Sequence, residues 1–240
     1  MKYYFLFPFL FQFILSFSQL IPSGSYPGNT PGIIINGEST PMKNISVQLI
    51  TLNPNSKSKK IKANKGEYLI LAKSGTVSIT SDQINAVLTP RSVAVICKGD
   101  KFRIENKGVE KANYYIQYLS AKNAQAGTDT AKSLVRLWED LSYIGHARGG
   151  VRNYFNKRSS QSKRLEMHVT TLNAGLTSHD PHTHIAEEIV LIIEGNTEMI
   201  IGDKICKANQ GDLYFLGSNV LHGIKNTGDK PAIYFAYQWD

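Results

Sequence analysis

Residues 175–195, GLTSHDPHTHIAEEIVLIIEG, are the stretch that decides the fold of this 240-residue chain. They contain two histidines one residue apart, His182 and His184, then Glu188, and they end on Gly195 after an apolar run. Side chains alternate along a strand, so both imidazoles point to one face and Glu188 keeps that parity. We therefore expect these three side chains to face one interior, with the chain turning back at Gly195.

A second stretch, residues 211–226 (GDLYFLGSNVLHGIKN), supplies one more imidazole. His222 lies near the end of this predicted strand segment, and Asn226 follows four residues later. Three neutral imidazoles and one carboxylate suit a divalent transition metal, with Mn, Fe, Ni, Cu and Zn as candidates. The alternative is a polar barrel interior without metal. The predicted metal ligands are His182, His184, Glu188 and His222.

The two stretches resemble the two motifs of the cupin superfamily. The first motif of the family reads G-x5-H-x-H-x3–4-E-x6-G. This chain matches the motif from His182 to Gly195, but its Gly175 lies one residue earlier than the motif requires. In the second motif the family's Pro-x-Gly is replaced by Gly217-Ser218-Asn219, at a turn that tolerates both changes. The resemblance implies a β-barrel that ligates metal, but not a reaction, because one fold supports many chemistries.

An internal repeat extends the resemblance to most of the chain. Displaced by 120 residues without a gap, residues 46–119 match the second half at 12 positions, including Gly75 on Gly195 and Asn106 on Asn226. We predict an all-β fold of two tandem cupin (jelly-roll) barrels, of which only the C-terminal barrel holds a metal. In the first copy the four predicted ligands are replaced by Lys62, Asn64, Tyr68 and Phe102.

The predicted organisation has five segments. They are a signal peptide (1–18), an extended Gly/Pro/Ser-rich arm (19–40), a degenerate barrel (41–119), a helical linker with a Gly/Arg loop (120–160) and the metal-binding barrel (161–240). The spacing of apolar residues predicts one α-helix over 128–144, with Thr128 or Asp129 as N-cap and Gly145 as its stop. Barrels of this size have modest cores, so we expect them to bury surface against each other.

The N-terminal segment predicts export. Lys2 precedes a short apolar run, and Ser16 and Ser18 have the spacing that signal peptidase accepts, so cleavage is expected after Ser18. An uncleaved membrane anchor is the alternative. We expect a secreted or periplasmic protein with no membrane contact after cleavage. In that oxidising compartment Cys97 and Cys206 either pair or remain two buried thiols.

Charge narrows the class of partner. The formal charge is +8, but the lysine cluster of residues 57–65 lacks interleaved aromatic residues, so no nucleic-acid partner is expected. The expected partner is a small molecule, and a homo-oligomer is left open.

Other residues are weaker candidates for function. His168 and His179 are candidate catalytic groups, with a packing role and a solvated loop as the respective alternatives. Candidate substrate-binding residues are Arg148, Arg152, Tyr237 and Gln238. For the arginines, a loop hydrogen-bonded across the two domains is the favoured alternative.

Two functions follow from these observations. The first is a metal-dependent enzyme that acts on a small polar or carboxylate-bearing molecule, with the metal as Lewis acid. Hydrolase, isomerase and dioxygenase classes are not separated by the sequence. The second is a non-catalytic cupin that binds a metal, a small ligand or a sugar. An ionisable group beside the metal, such as His168 or His179, would favour the enzyme.

Overall fold

The computed structural model describes residues 19–123 and 131–240, so the predicted signal peptide lies outside the described residues. These residues form twenty strands and, within those two ranges, no α-helix. In the first half the strands are β1 Gly24–Tyr26, β2 Gly32–Gly37, β3 Met42–Leu52, β4 Ile61–Lys62, β5 Glu67–Ser74, β6 Val77–Ser81, β7 Asn85–Leu88, β8 Val93–Ile96, β9 Lys101–Glu105 and β10 Ala112–Ala121.

The second half of the chain contains the other ten strands. The strands are β11 Leu134–Arg136, β12 Ile144–His146, β13 Gly149–Lys157, β14 Leu165–Leu172, β15 Glu187–Glu194, β16 Asn196–Ile201, β17 Lys204–Asn209, β18 Leu213–Leu216, β19 His222–Asn226 and β20 Ala232–Trp239. Among the described residues, no helix is long and apolar enough to cross a membrane.

Each half of the chain forms a jelly-roll barrel of two antiparallel sheets. The N-terminal barrel joins a six-stranded sheet (β11-β8-β5-β10-β3-β2) to a four-stranded sheet (β4-β9-β6-β7). The C-terminal barrel joins a seven-stranded sheet (β1-β18-β15-β20-β14-β13-β12) to a three-stranded sheet (β17-β16-β19). The predicted all-β fold of two tandem barrels is confirmed. The N-terminal arm pairs with both barrels, through β1 on β18 and β2 on β3.

The large sheets are apolar on both faces because each lies between two cores. In β15, Ile189 and Leu191 enter a core shared between the barrels, whereas Val190 and Ile192 enter the core of their own barrel. The strand β8 alternates in the same way between the shared core and the N-terminal core. Continuous apolar runs in the sequence are therefore strands buried on both sides.

The repeated asparagines hold equivalent loops. Asn226 is fully buried, and its Nδ2 donates hydrogen bonds to the carbonyl oxygens of Leu172 and Lys230 at 2.9 and 2.8 Å. Its Oδ1 accepts from the backbone N–H of Gly228 at 2.9 Å. The side chain of Asn106 makes the same three bonds 120 residues earlier, with Leu52, Glu110 and Gly108. The repeat therefore preserves these residues for loop structure.

Two buried carboxylates accept hydrogen bonds between the two halves of the molecule. Oε2 of Glu67, at the start of β5, accepts from the N–H and the hydroxyl of Ser160 at 3.0 and 2.9 Å. Oε1 of Glu187, at the start of β15, accepts from the N–H of Thr40 at 3.0 Å. Each contact joins one barrel to the segment that leads into the other, and the two pairs are related by the 120-residue repeat. Burial raises the pKa of both carboxyl groups.

The predicted linker helix is wrong for the described residues 131–144, and Thr128 and Asp129 lie outside them. Leu134–Arg136 pairs with β8, and Trp138–Asp140 forms one 3-10 turn. The side chain of Leu134 packs on the shared core and that of Val135 on the N-terminal core. The apolar residues thus cover two cores in alternation, as in a strand, and not one helical face.

The two cysteines are unpaired. Cys97 is buried in the shared core, and Cys206 is a half-buried residue of β17. Burial raises the pKa of the Cys97 thiol to about 11, which keeps it protonated and unreactive.

Candidate metal centre

Three imidazoles meet inside the C-terminal barrel. His182 and His222 face each other across a bridge of two reciprocal backbone hydrogen bonds, each 2.9 Å long. His184 follows His182 with the parity that the sequence predicts, and the donor atoms of the three side chains lie within 4.8 Å of one another. His222 is buried, His184 is half-buried and His182 is exposed toward the opening.

Glu188 completes the cluster. Its Oε2 lies 3.4 Å from Nε2 of His184 and 3.5 Å from Nε2 of His222. Burial alone would raise the pKa of Glu188, but the two imidazoles outweigh burial and lower this pKa to about 2. The nearby carboxylate of Glu188 in turn raises the pKa of His184. The structure thus brings together the four side chains predicted as ligands.

Backbone carbonyls orient two of the rings. Nδ1 of His184 lies 2.8 Å from the oxygen of Ala186, and Nδ1 of His222 lies 2.8 Å from the oxygen of Val220. A carbonyl only accepts, so each Nδ1 carries the proton, and a neutral ring presents a lone pair at Nε2.

The donor set fits a cation. Both Nε2 atoms are buried and have no partner closer than the Glu188 carboxylate, which also presents lone pairs. Lone pairs that face each other repel unless a proton or a metal ion lies between them. The three-histidine group therefore suits a divalent transition metal ion, and Glu188 presents a carboxylate beside two of its members.

A cavity of about 230 Å³ opens beside this cluster. Among the sequence candidates, His168, His179 and Gln238 line it. The ring of His179 stands edge-on to that of His182, with centroids 4.3 Å apart. Apolar side chains form much of the remaining wall, from Val151, Val190, Met199 and Ile224.

Two further residues line the cavity that the sequence did not single out as site residues. His146 reaches it from β12, and Tyr234 reaches it from β20. Burial raises the pKa of Tyr234 to about 12, so its hydroxyl stays protonated. Tyr234 shares the inward parity of Gln238 on β20, which is the signal that identifies it.

A row of polar and charged side chains lies at the start of β14 beside the cavity. Nδ1 of His168 lies 3.6 Å from Oε1 of Glu166, whose other oxygen accepts from Nη1 of Arg164 at 2.7 Å. The same guanidinium contacts Oε1 of Gln238 at 3.3 Å and Oδ1 of Asp240 at 3.1 Å. His168 is thereby held beside a carboxylate that is itself fixed.

Three substrate-binding candidates do not line the cavity. Tyr237 points to the opposite face of β20 from Gln238 and packs in the shared core. Arg152 stacks on the rings of Trp138 and Tyr143 and donates to the carbonyl of Leu141. Arg148 donates to the carbonyl oxygen of Ser178 at 2.8 Å, on the outer surface. The two arginines therefore support the loop around the cavity, which was the favoured alternative, and of the pair Tyr237 and Gln238 only Gln238 lines the cavity.

Family models match both halves of the chain. The cupin domain model matches residues 168–237, which contain the four-residue cluster. The homogentisate 1,2-dioxygenase N-terminal model matches residues 29–125, in the first barrel. No curated protein sequence matches the chain.

Solved structures share the complete two-barrel architecture. AerE from Microcystis aeruginosa aligns with 90% of this chain and 98% of its own, at 15% identity and a TM-score of 0.69. A glyoxylate-induced protein from Pseudomonas aeruginosa aligns over 93% and 84% of the two chains, at 14% identity and a TM-score of 0.70. Oxalate decarboxylase from Bacillus subtilis, studied for its Mn(II) centres, aligns over 92% and 78%, at 10% identity and a TM-score of 0.71.

Fold, motif and comparison agree on the class of protein. The family models and the shared two-barrel fold support the cupin superfamily, and the first of the two barrels lacks the predicted metal-ligand residues. Its C-terminal barrel contains a three-histidine group able to bind a divalent metal.

Proposed function

We propose that the protein is a metal-dependent enzyme that acts on a small carboxylate-bearing or polar molecule in the C-terminal barrel. One observation carries the proposal. The two buried and unpartnered imidazole nitrogens face the carboxylate of Glu188, beside a cavity that also contains the ionisable side chain of His168.

The proposed ligands are His182, His184, Glu188 and His222. When bound, a divalent ion supplies a Lewis acid for a carboxylate or carbonyl oxygen of the substrate. The names of two structural neighbours, an oxalate decarboxylase and a glyoxylate-induced protein, point to small carboxylates as the first compounds to test. The cavity volume of about 230 Å³ suits a molecule of that size.

His168 is the proposed acid or base. Its Nδ1 faces Glu166 at 3.6 Å, which directs Nε2 as the atom that exchanges a proton with substrate. Gln238 offers an amide to orient a polar group of the substrate, and the apolar wall offers a surface to its carbon atoms. An ionisable side chain in the cavity, such as His168, is required for acid–base catalysis but not for binding alone.

The metal assignment is tested by the metal content of purified variants. We expect one equivalent of metal in the wild-type protein and in His168→Gln, and loss of metal in His182→Ala. His146→Ala is a matched control, because it removes a cavity imidazole that is not a proposed ligand. Full metal occupancy in His182→Ala would overturn the ligand assignment.

Catalysis is tested with the metal-loaded protein and a panel of small carboxylates that includes oxalate and glyoxylate, followed by NMR. We expect consumption of one member, slowed by about 10²–10⁴-fold in His168→Gln, which is the usual contribution of general acid–base catalysis. Saturable binding of a panel member without consumption would support the non-catalytic alternative.

Export is the second part of the proposal. The charged start, apolar run and small residues that end at Ser18 support cleavage there. N-terminal sequencing of protein recovered outside the cytoplasm should begin at Gln19. An intact N-terminus in the membrane fraction would support an uncleaved anchor.

A further inference from the structure

The N-terminal barrel contains a cavity of its own, of about 340 Å³. Every side chain that lines it is uncharged. Three isoleucines form its apolar wall, and its polar lining consists of Asn36, Asn44, Ser46, Gln48, Tyr68 and Tyr118. Its volume lies within the range of about 300–1,000 Å³ that is typical of small-molecule pockets.

This cavity is the repeat-related counterpart of the metal cavity. Displaced by 120 residues, Ser46 and Gln48 of β3 correspond to Glu166 and His168 of β14. In the same way Asn44 corresponds to Arg164. Glu166 and Arg164 lie beside the metal cavity, and their counterparts Ser46 and Asn44 are uncharged. At the equivalent positions that line both cavities, Gln48 replaces His168, Tyr68 replaces Glu188 and Tyr118 replaces Gln238, so the N-terminal lining is polar but has no charged side chain.

Aromatic rings occupy the place of the metal cluster. Phe102, at the position of His222, is fully buried, and its ring centroid lies 5.1 Å from that of Tyr68, at the position of Glu188. The ring of Tyr118 lies 5.0 Å from that of Tyr68. Of these three rings, those of Tyr68 and Tyr118 line the cavity, so this part of its wall presents two aromatic rings with hydroxyls and no ligand set for a cation.

We propose that this cavity is a second ligand site, for a neutral polyhydroxylated molecule of the size of a monosaccharide. Amides and hydroxyls both donate and accept, as sugar hydroxyls do, and tyrosine rings offer a face for the C–H surface of a sugar ring. A charged ligand would lose its hydration without finding a counter-charge among the lining residues.

The lining retains capacity for such bonds. Within the cavity, Nδ2 of Asn44 lies 3.4 Å from Oδ1 of Asn36, and Nε2 of Gln48 lies 3.4 Å from Oγ of Ser46. Both contacts are at the long limit of a hydrogen bond, so a ligand hydroxyl can replace or bridge them at little cost.

The test is saturation-transfer NMR of the intact protein with methyl glycosides of glucose, galactose, mannose and N-acetylglucosamine. Glucuronate and glucosamine serve as charged comparisons. We expect saturable millimolar binding of at least one neutral glycoside, and binding about tenfold weaker in Gln48→Leu and in Asn44→Leu, which each remove one hydrogen-bonding group. Both side chains are half-buried, so the variants should fold.

Two controls assign the binding to this cavity. Asn85→Leu, on the outer strand β7, should bind like the wild type, and so should His182→Ala, which disables the metal cluster alone. Absence of binding by all four glycosides, equal binding of the charged sugars, or binding unchanged in Gln48→Leu would each overturn the proposal. None of these outcomes bears on the metal site, whose occupancy is measured separately.

Discussion

At the scale of single residues, the two repeated asparagines show how the sequence keeps a loop in place. The side chains of Asn106 and Asn226 each donate hydrogen bonds to two backbone carbonyl oxygens and accept one from a backbone N–H. This loop structure explains why asparagine stands at both positions although only the second barrel has the predicted metal ligands. Asn226 is part of the family motif without touching the metal cluster.

Replacement of either asparagine by alanine should destabilise the protein. Asn106→Ala and Asn226→Ala each remove three hydrogen bonds to buried or partly buried backbone groups, so we expect each to lower the free energy of unfolding by about 2–4 kcal/mol. Urea denaturation measures this loss, and Asn85→Ala on an exposed strand is the control. A small effect of Asn226→Ala on stability combined with loss of metal would contradict the structural role.

The site residues were partly predictable at this scale. Period-two alternation placed His182, His184 and Glu188 on one face, because that rule depends only on local strand geometry. The same rule left open which of Tyr237 and Gln238 faces inward, because both faces of β20 are buried. Only the position of the shared core, a tertiary feature, decides that Tyr237 points away from the cavity.

Arg152 gives a second test at this scale, of its role in supporting the loop around the cavity. Its guanidinium lies 4.6 Å from the Trp138 ring and 5.4 Å from the Tyr143 ring. Arg152→Lys loses the planar stacking, so we expect it to lower stability by about 1 kcal/mol. Thermal denaturation measures this effect, and metal content should stay at the wild-type level. If Arg152→Lys lost binding of a small carboxylate while its stability stayed unchanged, Arg152 would be a substrate-binding residue after all.

At the scale of elements, the sequence predicts strands well and the linker badly. The strands that recur in both copies of the repeat were predictable, because a glycine marks the turn after them. Gly75 and Gly195 adopt positive φ angles of +66° and +86° where the chain turns back. The prediction of a helix in the linker failed because the apolar residues of this segment contact two different cores. A helical spacing pattern assumes one buried face, and this segment has two.

The buried carboxylates between the barrels lead to a pH dependence. Burial raises the pKa of Glu67 above its unfolded value, so the native state binds this proton more tightly than the unfolded chain does. Stability should therefore fall as pH rises from the ordinary glutamate range through the raised pKa. Glu67→Gln keeps a carbonyl oxygen for Ser160 and should flatten this part of the stability–pH profile.

Glu67→Ala is the complementary variant. It leaves the N–H and hydroxyl of Ser160 without their acceptor, so we expect a loss of about 2–4 kcal/mol at neutral pH, larger than that of Glu67→Gln. Denaturant unfolding at several pH values distinguishes the two. Identical profiles for Glu67→Gln and the wild type would show that this carboxyl group does not titrate with folding.

At the scale of the whole molecule, the shared core makes the barrels interdependent. Ile189, Leu191, Phe215, Phe235 and Trp239 of the second barrel are all fully buried against it. A fragment of residues 161–240 would expose these side chains to water and would also lose the pairing of β13 with β14 and of β1 with β18. We expect the fragment to aggregate or to be unfolded by circular dichroism and gel filtration. A folded monomeric fragment would contradict this view.

The two barrels also differ in their sites: the C-terminal barrel has a histidine cluster suited to a metal ion, and the N-terminal barrel has a cavity lined by uncharged side chains. The most direct test of the central claim is metal analysis with EPR spectroscopy of the purified protein reconstituted with Mn(II), alongside His182→Ala and His222→Ala. The account predicts one bound ion per chain with nitrogen ligands in the wild type and loss of that ion in both variants. Wild-type protein that binds no divalent metal, or variants that keep a full equivalent, would contradict it.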